Sequence, residues 1–135
     1  MNLWSMEYSF DVDADSHIIY EKIYGIWTPE TAEHYHKDFM EAVKPLLDQP
    51  WAKLVDLLNW KTSYPQVVDR IAMHLKWCKQ HNMTLSLNVL NNPSTFRQLN
   101  EMFAAAGTGS ISRTFRVREE ADAFLRDNWF NKSDV

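Results

Sequence analysis

Three consecutive segments decide the fold: Ala52-Lys53-Leu54-Val55-Asp56-Leu57, then a stripe through Val67, Val68, Ile71, Ala72, Leu75 and Cys78, then Leu85-Ser86-Leu87-Asn88-Val89. The outer two are short apolar runs of strand length, and the middle one repeats at the three-four spacing of a buried helix face. Strand, helix and strand in that order make a parallel pair joined by a right-handed crossover. Pro65 opens the helix where its missing N–H costs nothing, and Asn82 offers a C-terminal stop.

Upstream, Thr28-Pro29-Glu30-Thr31 is a second helix start, with Thr28 as N-cap and Pro29 at the first helical position. Its stripe is Ala32, Tyr35, Phe39, Ala42, Val43 and Leu46, and Pro45 and Pro50 end it. Before it, Met6, Tyr8, Phe10 and Val12 alternate with Glu7, Ser9, Asp11 and Asp13. Asp13-Ala14-Asp15-Ser16 is turn chemistry, and the β-branched run Ile18 to Ile26 closes a hairpin. Gly25 marks a bulge or a close backbone approach. Downstream, Asn91-Asn92-Pro93 breaks the fourth strand and Ser94 is the expected cap of a third helix through Phe96, Leu99, Met102, Phe103 and Ala106, ended by Gly107. Ile111, Arg113, Phe115 and Val117 alternate as a fifth strand, and a last helix over 119–128 buries Ala121, Phe124 and Leu125. The expectation is an α/β fold. Five strands form a mixed sheet, an N-terminal antiparallel hairpin followed by parallel strands with helical crossovers. Four helices pack against it in a single domain spanning residues 1–135.

The totals narrow the function classes. A chain of 135 residues builds one core without disulfides or metals. Its net charge of −4 argues against non-specific nucleic-acid binding, which needs a basic face. The single cysteine, Cys78, lies on an apolar stripe and reads as a core thiol in a reducing compartment. The opening residues show neither a basic segment nor an apolar run, and no stretch approaches the ~20 residues of a membrane span. The expectation is a soluble, cytoplasmic protein.

The order of elements resembles the STAS domain (sulfate transporter and anti-sigma-factor antagonist), and in particular the SpoIIAA-like group of small bacterial proteins. Three stretches carry the likeness: Lys53-Leu54-Val55-Asp56-Leu57, similar to the family's third strand ending in Asp; Gly25-Ile26-Trp27-Thr28, opening a helix; and the closing strand and helix from Phe115 to Leu125. The resemblance implies a non-enzymatic domain that binds a partner protein, a nucleotide or a lipid-like ligand. Signalling members are switched at a serine in an Asp-Ser-Ser-Gly motif. Here that region reads Thr62-Ser63-Tyr64-Pro65-Gln66, so the family's serine falls at Pro65 or Gln66 and the motif is absent.

Ligands of open α/β sheets bind beyond the carboxyl ends of the parallel strands. Trp27 and Thr28, the loop Asn59 to Tyr64, and Asn91 to Ser94 fall there. Trp27, Thr28, Trp60, Thr62, Ser63, Tyr64, Asn91, Asn92 and Ser94 are therefore the candidate ligand or partner residues. Thr62 and Ser63 are also candidate phosphorylation sites, because added negative charge is favourable at the following helix start. Thr28, Ser63 and Ser94 equally suit simple capping roles. His34 and His36 are two apart on a helix and point to different sides, while His74 and His81 are too far apart axially to share an ion, so packing histidines are expected and no metal or cofactor. Asp56 reads as a brace for the next loop. Trp77 sits off the stripe, and the surplus rings Trp129 and Phe130 suggest docking onto the domain itself or onto a second subunit as a homodimer. The function expected is a non-enzymatic binding or regulatory module recognising a partner protein or a small apolar or anionic ligand. The alternatives are a small enzyme using Asp56, Ser63, Tyr64 and Asn92, or a peripheral lipid-binding protein, the latter disfavoured by the acidic balance.

Overall fold

Lys53 stands on the central strand of the sheet, and the other elements are arranged around that strand. A computed structural model of the chain describes residues 7–61 and 64–130. The elements are β1 (Tyr8–Asp13), β2 (Ile18–Gly25), α1 (Pro29–Ala42), a 3-10 turn (Lys44–Leu46), β3 (Trp51–Trp60), α2 (Pro65–Gln80) and β4 (Met83–Val89). Then come α3 (Pro93–Ala106), a second 3-10 turn (Gly109–Ile111), β5 (Ser112–Phe115), α4 (Arg118–Leu125) and a π turn (Arg126–Phe130). The sheet order is β1-β2-β3-β4-β5, with β1 antiparallel to β2 and the rest parallel. This is the mixed five-stranded sheet with four helices that the sequence predicts.

Sequential strand order with right-handed crossovers places α1, α2 and α3 on one face. The core on that side takes Tyr35 and Phe39 from α1, Ile71 and Leu75 from α2, and Leu99 and Phe103 from α3. The other face is covered by α4, whose Ala121 and Leu125 pack on Ile18, Ala52, Leu54, Leu87 and Val89. Strands buried on both sides show why their sequences read as apolar runs: Ile18 and Ile19 are both fully buried, as are Ala52 and Leu54.

Local chemistry follows the expected signals with four corrections. The hairpin turn is held by Asp13, whose carboxylate accepts from Ser16 N at 3.2 Å. Gly25 takes φ +70° beside a register shift between Lys22 and Tyr24, and Gly107 ends α3 at φ +72°. The first correction concerns β3. It runs to Trp60, so Asn59 and Trp60 are strand rather than loop, because Tyr24 and Gly25 of β2 continue to pair with them. Second, the cap of α3 is Asn92, not Ser94: its Oδ1 accepts from Ser94 N and Thr95 N, leaving Pro93 at the first helical position. Third, β5 has only four residues. It pairs with Ser86 to Val89, while Ile111 lies in a 3-10 turn and Val117 stands at the start of α4. Fourth, α4 stops at Leu125 and the chain continues as the π turn.

Candidate functional site

The carboxyl ends of the parallel strands are tied together by hydrogen bonds to backbone carbonyls. Lys61 N donates to Gly25 O at 2.8 Å, Leu90 N to Phe115 O at 2.9 Å, and the Thr95 hydroxyl to Trp60 O at 3.3 Å. At this edge a crevice of about 360 Å³ opens between the end of β4, the start of α3 and the end of β5. Asn91 and Asn92 line it together with Phe96 and Arg116. Its size falls within the ~300–1,000 Å³ of small-molecule sites. Phe96 is 44% exposed, and Arg116 has no ion-pair partner among the described residues.

The other candidates are placed differently. Trp27 is fully buried, its indole N–H donating to Tyr24 O at 3.0 Å, and Trp60 is 4% exposed with its ring edge-on to Trp27 at 5.9 Å. Both of these candidate ligand or partner residues are thus core residues. Trp27 is turned inward by the entry into α1, and Trp60 by the extension of β3. Thr28 caps α1 in a reciprocal box with Thr31: Thr28 Oγ1 accepts from Thr31 N at 3.3 Å. Tyr64 is 54% exposed at the start of α2 and Ser94 is exposed on α3; neither lines the crevice. Thr62 and Ser63 lie outside the described residues. Asp56 braces its own strand end, accepting from Leu58 N at 3.0 Å. Trp129 and Phe130, expected to dock onto the domain itself or onto a second subunit, are half-buried on their own domain, packed against the α4 side of the core, with Trp129 Nε1 donating to Ser16 O at 2.8 Å.

A second polar centre is one that spacing alone did not disclose. On the face under α1 and α2, Glu21 of β2 and Lys53 of β3 are 2% and 3% exposed and pair at 3.1 Å between Lys53 Nζ and Glu21 Oε2. Tyr35 donates its hydroxyl proton to Glu21 Oε1, and Lys53 donates to Tyr35 Oη at 3.4 Å and to His74 Nε2 at 3.3 Å. His74 Nδ1 lies 2.8 Å from His36 Nδ1, and Cys78 Sγ lies 3.6 Å from His74 Nε2. An ammonium group only donates, so His74 Nε2 is an acceptor. Neutral His74 then carries its proton on Nδ1 and donates it to His36, whose own proton sits on Nε2.

Burial and then the Lys53 charge hold both histidines below the ordinary value, His74 far below. Burial pushes the Cys78 thiol up to about 12, and burial with the Glu21 charge raises the Tyr35 phenol well above its usual range. The chain of groups runs from Glu21 in the core to His36, which is half-buried between α1 and α2. Against it lies an internal cavity of only about 30 Å³, lined in part by Trp27, Trp60, Lys53, His74 and Asn88. That volume holds a water molecule or two, and no substrate. Among the described residues no three His, Cys, Asp or Glu side chains converge as a metal site.

The sequence did carry a signal for this centre. Glu21 falls between Ile19 and Ile23 on the apolar face of its strand, Lys53 lies inside the central run, and His74 follows Ile71 by three and precedes Cys78 by four on the buried stripe. Ionisable residues at core positions require partners. Comparing histidines only within one helix could not reveal partners on other elements.

No family model matches the sequence, and no curated protein matches it closely. Among solved structures, the chain is similar to the crystal structure of an anti-sigma factor antagonist from Mycobacterium paratuberculosis. The TM-score is 0.59 at 15% identity, covering 88% of this chain and 94% of that one. At that identity the likeness is one of fold, and it matches the sheet order and helix placement described above. The chain has a STAS-like fold.

Proposed function

We propose that this chain is a single-domain, non-enzymatic STAS-type module that recognises a partner protein or a small anionic, partly apolar ligand at the loops after its parallel strands. One observation carries the reading: the crevice beside Asn91 and Asn92 joins an exposed ring, Phe96, to the guanidinium of Arg116, which has no ion-pair partner among the described residues. Arg is suited to paired hydrogen bonds with carboxylate or phosphate, and Phe to an apolar body. The fold likeness supports a regulatory role, since the similar structure is an anti-sigma factor antagonist. The burial of Glu21, Lys53, His74 and Cys78 supports a non-catalytic one, because a reacting group must reach substrate. A cytoplasmic setting fits the free Cys78.

The test is a thermal-shift panel of nucleotides and acidic amphiphiles, run beside affinity capture from source cells, on the wild type and on Phe96→Ala and Arg116→Glu. A ligand or partner retained by the wild type and lost from both folded variants is the expected result. The reading fails if wild type and variants behave alike throughout, and its non-enzymatic half fails if turnover appears and depends on Asp56 or Asn92.

A further inference from the structure

On the helical face, well away from the loops, α1 and α2 leave an open groove of about 600 Å³ between them. It is lined by His36 and Trp77, which meet edge to face at 5.6 Å. Met40 and Met73 line it too, and Met73 at 69% is the most exposed of the large hydrophobic residues among those described. Its rim carries Lys37, Lys76 and Arg70. Glu33 on α1, the one acidic residue lining it, is already paired with Arg70. Lys37 and Lys76 have no ion-pair partner among the described residues. A protein of net charge −4 therefore concentrates uncompensated positive charge around an exposed apolar strip.

We infer that the α1–α2 groove docks an amphipathic helix of an acidic partner protein, its apolar face on Met40, Met73 and Trp77 and its carboxylates on Lys37 and Lys76. The dimensions agree. The lining spans residues 32–40 of α1 and 70–80 of α2, about 12–15 Å at the helical rise, or two to three turns of a docked helix. Methionine walls adapt to a partner's side chains, as in other helix-in-groove surfaces. A second copy of this chain is the poorer occupant, since symmetric pairing would set the two cationic rims against each other. Basic rim charges speed the encounter and discriminate against basic partners.

The test uses a synthetic helical peptide of about four turns with leucines on one face and glutamates beside them, and a second peptide with lysines replacing the glutamates. Amide and indole shifts in the wild-type protein locate the contact. Expected is saturable binding of the acidic peptide alone, with shifts at residues 32–40 and 70–80 and at the Trp77 indole, weakening as salt is raised. Met73→Asp and the double variant Lys37→Glu/Lys76→Glu should each weaken it by about tenfold or more. Met73 is so exposed that its replacement leaves the fold intact, and the spectrum reports that directly. The inference is overturned if the lysine peptide binds as well, if neither peptide saturates, if the variants bind unchanged, or if sedimentation shows the groove occupied by a second copy. Shifts confined to residues 91–96 would also overturn it while leaving the proposed ligand crevice standing.

Discussion

The two faces of this sheet are built from alternate residues of the same strands, yet they are chemically unlike. Toward α4, β3 and β4 offer Ala52, Leu54, Leu87 and Val89, an apolar layer with no buried charge. Toward α1–α3 the same strands offer Lys53, Ser86 and Asn88, all buried, with Glu21 added from β2. A one-residue slip of register would exchange the faces and bury Lys53 against leucines, so the charge on one face specifies the register that the apolar face alone defines less sharply. The difference assigns roles. The α4 side supplies apolar burial alone, and the α1–α3 side adds to a larger apolar core a directed network whose outer end, His36, opens into the groove.

Adjacent residues of β3 break this comparison most strongly. Lys53→Met leaves Glu21 buried without its counter-charge and should cost about 3–5 kcal/mol in urea unfolding near neutral pH. Leu54→Ala, one residue away on the other face, should cost about 2–5 kcal/mol through a cavity. The sizes overlap, so rescue decides the mechanism. Adding Glu21→Leu to Lys53→Met should restore much of the lost stability, because removing both charges also removes the desolvation penalty. A double variant as unstable as Lys53→Met would mean that packing, not charge, sets the cost on this face.

The next effect is a pH dependence whose acid side belongs to the charged face. His74 and His36 have folded values below their ordinary one, so the unfolded chain takes up their protons first as the medium is acidified. Their contribution is present above about pH 6.5 and is lost as pH falls below it toward the lower folded values, by at most about 1.4 kcal/mol per pH unit for buried His74 and less for half-exposed His36. Cys78 has the opposite sign. Its contribution is complete below the ordinary thiol value of 9.0 and is lost as pH rises from there to about 12. Urea midpoints across this range should therefore form a plateau with two falling sides. His74→Gln should flatten the acid side, while Leu54→Ala should lower the plateau and leave its shape alone. An unchanged acid slope in His74→Gln would remove the histidine pair from the account.

The fold was legible because period and punctuation are local. The run from Ala52, the stripe from Val67, the helix start at Pro65 and the stop at Gly107 all act within a few residues, and together they order the sheet. The crevice was legible in part: Asn91 and Asn92 line it as expected, whereas Phe96 and Arg116 enter from elements whose approach no local pattern encodes. Trp27 and Trp60 misled because a place beyond the strand ends says nothing about which way a ring points, and a strand that runs on past its apolar run turned Trp60 inward. The Glu21–Lys53–His74 chain joins residues up to 53 positions apart. Each was visible singly as an ionisable group at a core position, but their mutual distances exist only once β2, β3 and α2 are stacked.

The smallest effect returns to the loop edge and separates two nearby polar residues, Asn92, read from the sequence as part of the strand break, and Ser94, read as the helix cap. Asn92 and Ser94 both precede the apolar stripe of α3, and either residue type caps helices well. Only Asn92 has extended backbone, φ −100° and ψ 121°, and an oxygen that takes the Ser94 and Thr95 amide protons. Ser94 is one of the donors, already inside the helix, with its side chain exposed. Asn92→Ala should therefore cost about 1 kcal/mol, by leaving two first-turn N–H groups to water, whereas Ser94→Ala should fall within about 0.5 kcal/mol of the wild type. Because Asn92 also lines the crevice, Asn92→Asp is the informative partner: it keeps the capping oxygen and adds a charge that the start of α3 favours and an anionic ligand does not. Stability retained with ligand affinity lost in Asn92→Asp would separate the cap from the recognition surface; stability and affinity falling together would show that the loop's order, and not its charge, governs binding.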